Sequence, residues 1–319
     1  MKLTNIELQK YFHGALNFKE TGDGYLQSFH YTDEQIEYFR NALDFWYERS
    51  LGTNSKTIEF DTEATNVSFE YKFAWKGSFD SIELWVDGLP AEIKYVKDLP
   101  DEGRISFTMK KGMKSVAIYL TADATTYVRS FEVDAPITPH DKRCRILWLG
   151  DSISQGYGPL RSAQTFVSVV NRIWNCEILN QSIGGYIYDK KSLLKIDGFK
   201  PDRIVIALGT NQFGDETMTP VEEYYTRLME LYGNDIPVLV ISPIWRGDIP
   251  EGIPKLEDYC SQIIRIASGY RNVTVINGFE LMPRISEYYL DNLHPNQLGC
   301  ELYGRNLTEA VRKTGWFDV

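Results

Sequence analysis

The chain has 319 residues, 43% of them hydrophobic and 24% charged, and a formal net charge of -10. This is the balance of a globular protein with apolar material for about two domains. The acidic surplus argues against nucleic acid as a partner, because phosphate binding needs a basic face. No apolar run approaches the ~20 residues of a membrane span. The opening stretch MKLTNIELQKYFHG has no apolar signal core, so a cytoplasmic protein is expected.

The first ~50 residues read as irregular except for one helix. Thr32-Asp33-Glu34-Gln35 has the form of a capping box. Ile36, Phe39, Leu43 and Trp46 or Tyr47 then recur at helical spacing, as a stripe packed on a core or as a sugar-stacking platform. From Lys56 to Val133 the period changes to two, with strands expected at Thr57–Phe60, Val67–Trp75, Ile82–Val86, Ala91–Val96, Ile105–Met109, Val116–Leu120 and Tyr127–Val133. Short strands at this spacing predict an antiparallel β-sandwich, taken as an accessory domain over residues 1–140. Asp134–Arg143, with Pro136 and Pro139, reads as a short, stiff linker, so the sandwich should be docked against the second half of the chain.

From residue 141 onward the pattern becomes β-α-β-α. Strands are expected at Arg145–Leu149, Glu177–Leu179, Arg203–Leu208, Val238–Ile241 and Val273–Ile276. Helices are expected at Thr165–Trp174, Val221–Tyr232, Leu256–Ser268 and Gln297–Val311, with a weaker crossover at Lys190–Ile196. Such alternation demands a doubly wound parallel sheet with helices on both faces. The four cysteines, Cys144, Cys176, Cys260 and Cys300, form no C-x-x-C pair. They read as buried free thiols, and no metal site or cofactor is expected.

Three loops fall at the carboxyl ends of successive strands, where open α/β sheets bind ligands. They are Gly150-Asp151-Ser152, Asn180–Gly185 and Gly209-Thr210-Asn211; a fourth block, Asp291-Asn292-Leu293-His294, precedes the last helix. Together they suit acyl transfer. Ser152 can attack a carbonyl, His294 can take its proton, and Asp291, three residues earlier, can hold the imidazole. The oxyanion needs donors, which the Ser152 and Gly185 N–H groups and the Asn211 amide can supply, with Gly184 a rival to Gly185. Asp151 is expected to hydrogen-bond within its loop or to position the catalytic groups, a structural role before a chemical one. The segment Pro243–Pro254 should overhang the site, with Trp245 and Arg246 bounding a substrate pocket, although packing is an equal role for Trp245.

These blocks, in this order, resemble the SGNH hydrolases, also called GDSL-type esterases and lipases. Ser152, Gly185, Asn211 and His294 match the four residues that name the family, and Asp291–His294 its D-x-x-H block. Gln212 stands where the family often has Asp after Asn. The resemblance covers residues 144–319 and implies a flavodoxin-like sheet, the SGNH hydrolase fold, over residues 141–319. The preceding sandwich is similar to that of two-domain members, which include carbohydrate esterases and some acyltransferases. The activity implied is that of a metal-independent serine esterase acting on small O-acyl esters such as acetylated sugars. An acyltransferase using the same site, and a carbohydrate-binding protein with a vestigial one, are the alternatives.

Overall fold

The computed structural model describes residues 1–77, 80–214 and 217–318. A one-turn helix, α1 (Asn5–Leu8), opens the chain, followed by β1 (Phe12–His13), β2 (Asn17–Glu20) and β3 (Leu26–Phe29). Helices α2 (Asp33–Ala42) and α3 (Asp44–Ser50) come next. Then come β4 (Thr57–Thr62), β5 (Asn66–Trp75), β6 (Ser81–Val86), β7 (Leu89–Tyr95), β8 (Glu102–Thr108), β9 (Lys114–Tyr119), β10 (Thr125–Val133) and β11 (Ile137–Pro139). These strands make two antiparallel sheets, β1-β4-β9-β6-β7 with β11 also on β4, and β2-β3-β10-β5-β8. Alternation sets their shared core: in β5, Val67, Phe69, Tyr71 and Phe73 point inward against Phe60, Phe107 and Phe131.

The sequence expectation for the first fifty residues needs correction, because β1, β2 and β3 are sandwich strands. Their apolar residues are too few and too short in run to show a period of two. The linker also differs. Ile137–Pro139 is a strand paired with β4, and His140 lies between Glu59 (3.1 Å) and Asp61 (2.9 Å). Lys142 Nζ donates to Glu59 at 2.6 Å. The connection is stapled to the sandwich by charge.

The second half runs β12 (Arg145–Gly150), α4 (Ser152–Gln155), α5 (Phe166–Trp174), β13 (Glu177–Ser182), β14 (Arg203–Ala207), α6 (Thr219–Tyr232), β15 (Val238–Ile241), α7 (Ile253–Ala267), β16 (Val273–Ile276) and α8 (Gln297–Thr314). The sheet order is β13-β12-β14-β15-β16, all parallel, which is the flavodoxin-like order. Alternate residues of β12 face opposite layers. Ile146 and Trp148 pack toward α5 and α8, whereas Leu147 and Leu149 pack toward α6 and α7.

The crossover from β13 to β14 holds only a 3-10 turn, Lys190–Ser192, in place of the expected Lys190–Ile196 helix. Helix α2 packs beside it. Ile36 and Phe39 are buried with Tyr186, Tyr188, Leu193 and Ile196, and Gln35 Nε2 donates to Gln181 Oε1 and the Ser192 carbonyl, both at 3.1 Å. The N-terminal segment thus shares a core with the parallel sheet. The Thr32 capping box is present, but the helix ends early. Leu43 is extended (φ -163°, ψ 126°) and 48% exposed, so it leaves the expected stripe. Its extended backbone redirects the chain into α3. Of the cysteines, Cys176, Cys260 and Cys300 are buried free thiols, whereas Cys144, one residue before the strand, is half-buried with its sulfur 3.3 Å from that of Cys176.

Candidate active site

Strand β12 ends at Gly150, and the chain turns at once into α4. A Cβ at Gly150 would lie 2.5 Å from Ser154 Oγ, so only glycine allows this tight turn. Asp151 caps α4 by accepting the Ile153 N–H at 3.1 Å. Burial raises its carboxyl to about 7, against the pull of the Ile153 N–H, the Thr210 hydroxyl and Arg246. Asp151 therefore acts within the loops, as expected. The turn leaves Ser152 half-buried at the first position of α4.

The Asp291 block meets this serine from the other side. Ser152 Oγ and His294 Nε2 are 2.9 Å apart. His294 Nδ1 and Asp291 Oδ2 are 2.8 Å apart, and Asp291 Oδ1 accepts the His294 N–H at 2.8 Å and the Leu293 N–H at 3.1 Å. Burial would raise the Asp291 pKa, but the His294 backbone and ring hydrogen bonds outweigh it and hold the carboxylate below its ordinary value. It is therefore ionised at neutral pH. Tyr157 meets the His294 ring edge-on at 4.7 Å, and the Gly247 N–H donates to the Asn292 carbonyl at 2.7 Å, bracing this loop.

Of the rival glycines, Gly184 has its N–H occupied by Gln155 Oε1 at 2.7 Å. Gly185 is exposed at φ +69°, and its N–H has no acceptor among the described residues. The amide of Asn211 is anchored on one side, Nδ2 donating to the Tyr186 carbonyl at 2.9 Å. That bond uses one of its two hydrogens, and the second meets no acceptor among the described residues. The departure at Gln212 has a local reason: its Oε1 accepts the Tyr188 N–H at 2.5 Å, tying the Asn211 loop to the Gly185 loop.

Trp245 packs edge-on against Tyr289 at 5.2 Å. Arg246 donates to the Thr210 carbonyl at 2.8 Å and pairs with Asp248 at 2.7 Å. Both brace loops, which is the packing alternative for Trp245. Two cavities, of about 650 and 810 Å³, lie along the contact between the sandwich and the parallel-sheet half, and neither is lined by Ser152, Asn211 or His294. Gln155, which the sequence offers with Gln155–Arg161 as another pocket wall, holds the Gly184 N–H. Trp46, expected in the helical stripe, borders Gly185, and the residue sequence reading missed is Phe45 of α3, whose ring lies against both glycines. A signal was available. Phe45 lies off the helical stripe, and an aromatic there faces away from the core. Among the described residues no group of three or more His, Cys, Asp or Glu side chains is placed to hold a metal ion, and no helix is long and apolar enough to cross a membrane.

Residues 148–302 match the model of the GDSL-like Lipase/Acylhydrolase family. No curated protein matches the chain. Among solved structures, it is similar to the salicylyl-acyltransferase SsfX3 from a tetracycline biosynthetic pathway, with 17% identity and a TM-score of 0.75 over 95% of this chain and 94% of that one. It is also similar to a Bacteroides ovatus protein assigned as a GDSL-like lipase, with 16% identity and a TM-score of 0.77 over 96% of each chain. An acetyl xylan esterase from the rumen bacterium Butyrivibrio proteoclasticus gives 14% identity and a TM-score of 0.63 over 99% and 98%. At these identities the structural likeness speaks for the fold, a doubly wound domain behind an N-terminal antiparallel one, and the family match speaks for the chemistry. Over residues 148–302 the chain carries a carboxylic ester hydrolase domain of the GDSL-like lipase/acylhydrolase family.

Proposed function

We propose that the protein is a serine esterase that hydrolyses small O-acyl esters, carbohydrate acetates among them, with Ser152, His294 and Asp291 as its triad. The hydrolase domain is taken to begin at residue 141, after the sandwich. The observation that carries the reading is the continuous line from Ser152 Oγ through His294 to Asp291, at 2.9 and 2.8 Å. Ser152 attacks the ester carbonyl as its proton passes to His294 Nε2, and ionised Asp291 steadies the imidazolium that forms. The Ser152 and Gly185 N–H groups and the second amide hydrogen of Asn211 bind the oxyanion. His294 then returns the proton to the leaving alkoxide, the acyl-enzyme remains, and water repeats the sequence to release the acid.

An acyltransferase differs only in which alcohol or water attacks the acyl-enzyme. The likeness to a salicylyl-acyltransferase keeps that reading in view. Gly185 and Asn211 are exposed and the Asp291 side chain is 44% accessible, so the site is open to water as well as to an acceptor alcohol. The test is turnover of an activated acetyl ester by the wild type and by Ser152→Ala, with and without added sugar. Hydrolysis lost in the alanine variant supports the esterase, and acylated sugar accumulating in place of acid supports the transferase. No turnover by the wild type leaves the vestigial alternative.

A further inference from the structure

We infer that Phe45 and Trp46 form a platform on which an O-acylated pyranose rests while its acyl carbon meets Ser152, an inference that rests on the esterase reading. The platform is built by α3, which belongs to the N-terminal segment. A Cβ at Gly184 would lie 3.4 Å from Phe45 Cε1 and Cζ. One at Gly185 would lie 3.7 Å from Phe45 Cε1 and 4.0 Å from Trp46 Nε1. The two rings therefore border the backbone that carries the Gly185 N–H, and an ester oxygen bound there brings the rest of its molecule against them.

A wedge that merely held the loop in place would be buried and hydrogen-bonded. Phe45 is 43% exposed, and the Trp46 Nε1–H meets no acceptor among the described residues. An apolar ring beside an unspent N–H donor suits a ligand with both C–H faces and hydroxyls, which is the character of a pyranose. The platform is held in place from the sandwich. The Arg49 guanidinium lies 5.0 Å from the Phe45 ring and 4.0 Å from the Trp75 ring. Its Nη1 pairs with Asp123 at 2.7 Å. Trp46 meets Tyr186 edge-on at 4.9 Å, and the Tyr186 carbonyl anchors Asn211. Phe45 and Trp46 are thus substrate-contacting residues, and Arg49 is a positioning residue.

The experiment compares kcat/KM for a methyl pyranoside bearing one acetyl group with that for ethyl acetate, and measures pyranoside binding to Ser152→Ala by calorimetry. Phe45→Ala and Phe45→Leu should lower the ratio of the two specificity constants roughly tenfold through KM. Phe45→Trp should retain the ratio. Arg49→Ala should lower it less, again through KM, and Arg49→Lys only partly restore it. In the Ser152→Ala background, Phe45→Ala should weaken pyranoside binding by a similar factor. An unchanged ratio with unchanged affinity overturns the platform. So does a wild type that hydrolyses ethyl acetate but neither hydrolyses nor binds the pyranoside, and that result leaves the esterase reading standing. Turnover that survives Ser152→Ala removes the esterase reading, and the binding measurement then decides the platform alone.

Discussion

Replacing Asn211 by alanine should slow the chemical step and leave substrate binding nearly intact. The amide contributes one of three proposed donors to the oxyanion, and loss of one such donor costs roughly 10²–10³ in kcat, about 2.7–4 kcal/mol. Asn211 is exposed in the free protein, so water can partly fill the gap and a loss near the lower end, about a hundredfold, is expected. Folding should suffer little. The bond to the Tyr186 carbonyl is a single neutral one at an accessible position, worth about 0.5–1.5 kcal/mol at most. Asn211→Asp should be worse than alanine for turnover, because it sets an acceptor where the oxyanion needs a donor. Steady-state kinetics on an activated acetyl ester separate the cases. A rise in KM with kcat preserved would place Asn211 in ground-state binding and refute the assignment.

Phe39→Ala should destabilise the whole chain by about 3–5 kcal/mol, since Phe39 is 1% exposed and packs edge-on with Tyr31 and Tyr186. Calorimetry should show one transition moved as a unit; two transitions with only one displaced would contradict the shared core. His140→Gln should cost stability in a pH-dependent way. The Glu59 hydrogen bond, helped by Asp61 and opposed by burial, raises the His140 pKa in the folded state. The stabilisation is therefore fully present below the unfolded value of about 6.5 and fades as pH rises through the higher folded value. Denaturant titrations should show a larger deficit for the variant at acid pH than at alkaline pH, and a deficit independent of pH would sink the argument.

The parallel half was legible because its signals are local. An apolar run ending in Gly150-Asp151-Ser152 reads as a buried strand with a serine at its ligand-binding end, and the sheet has that strand in its interior, between β13 and β14. Asp291 and His294 are three residues apart, so their contact needs only a turn. The N-terminal strands were harder to read. β1 has two residues and β3 has four, too few for alternation to stand out, and the strands they pair with beyond the first fifty residues lie far away in the chain. The weak crossover at Lys190–Ile196 was misread for a related reason. The face it would have covered is occupied by α2, about 150 residues earlier, and no local pattern announces such a substitution.

The same distinction separates the chemistry of this site from its selectivity. The proposed reacting groups and oxyanion donors sit on loops that the parallel sheet brings together, which is why residue type and order carried the reading. Phe45 and Trp46 reach Gly184 and Gly185 only because Leu43 breaks the helix and α2 is seated in the sheet's own core. Arg49, Trp75 and Asp123 then tie that placement to the sandwich. A change in the sandwich loops can therefore move the platform while leaving the line from Ser152 to Asp291 in place. On the proposed reading, the ester chemistry belongs to the parallel sheet, and the choice of alcohol belongs to the contact between the two halves.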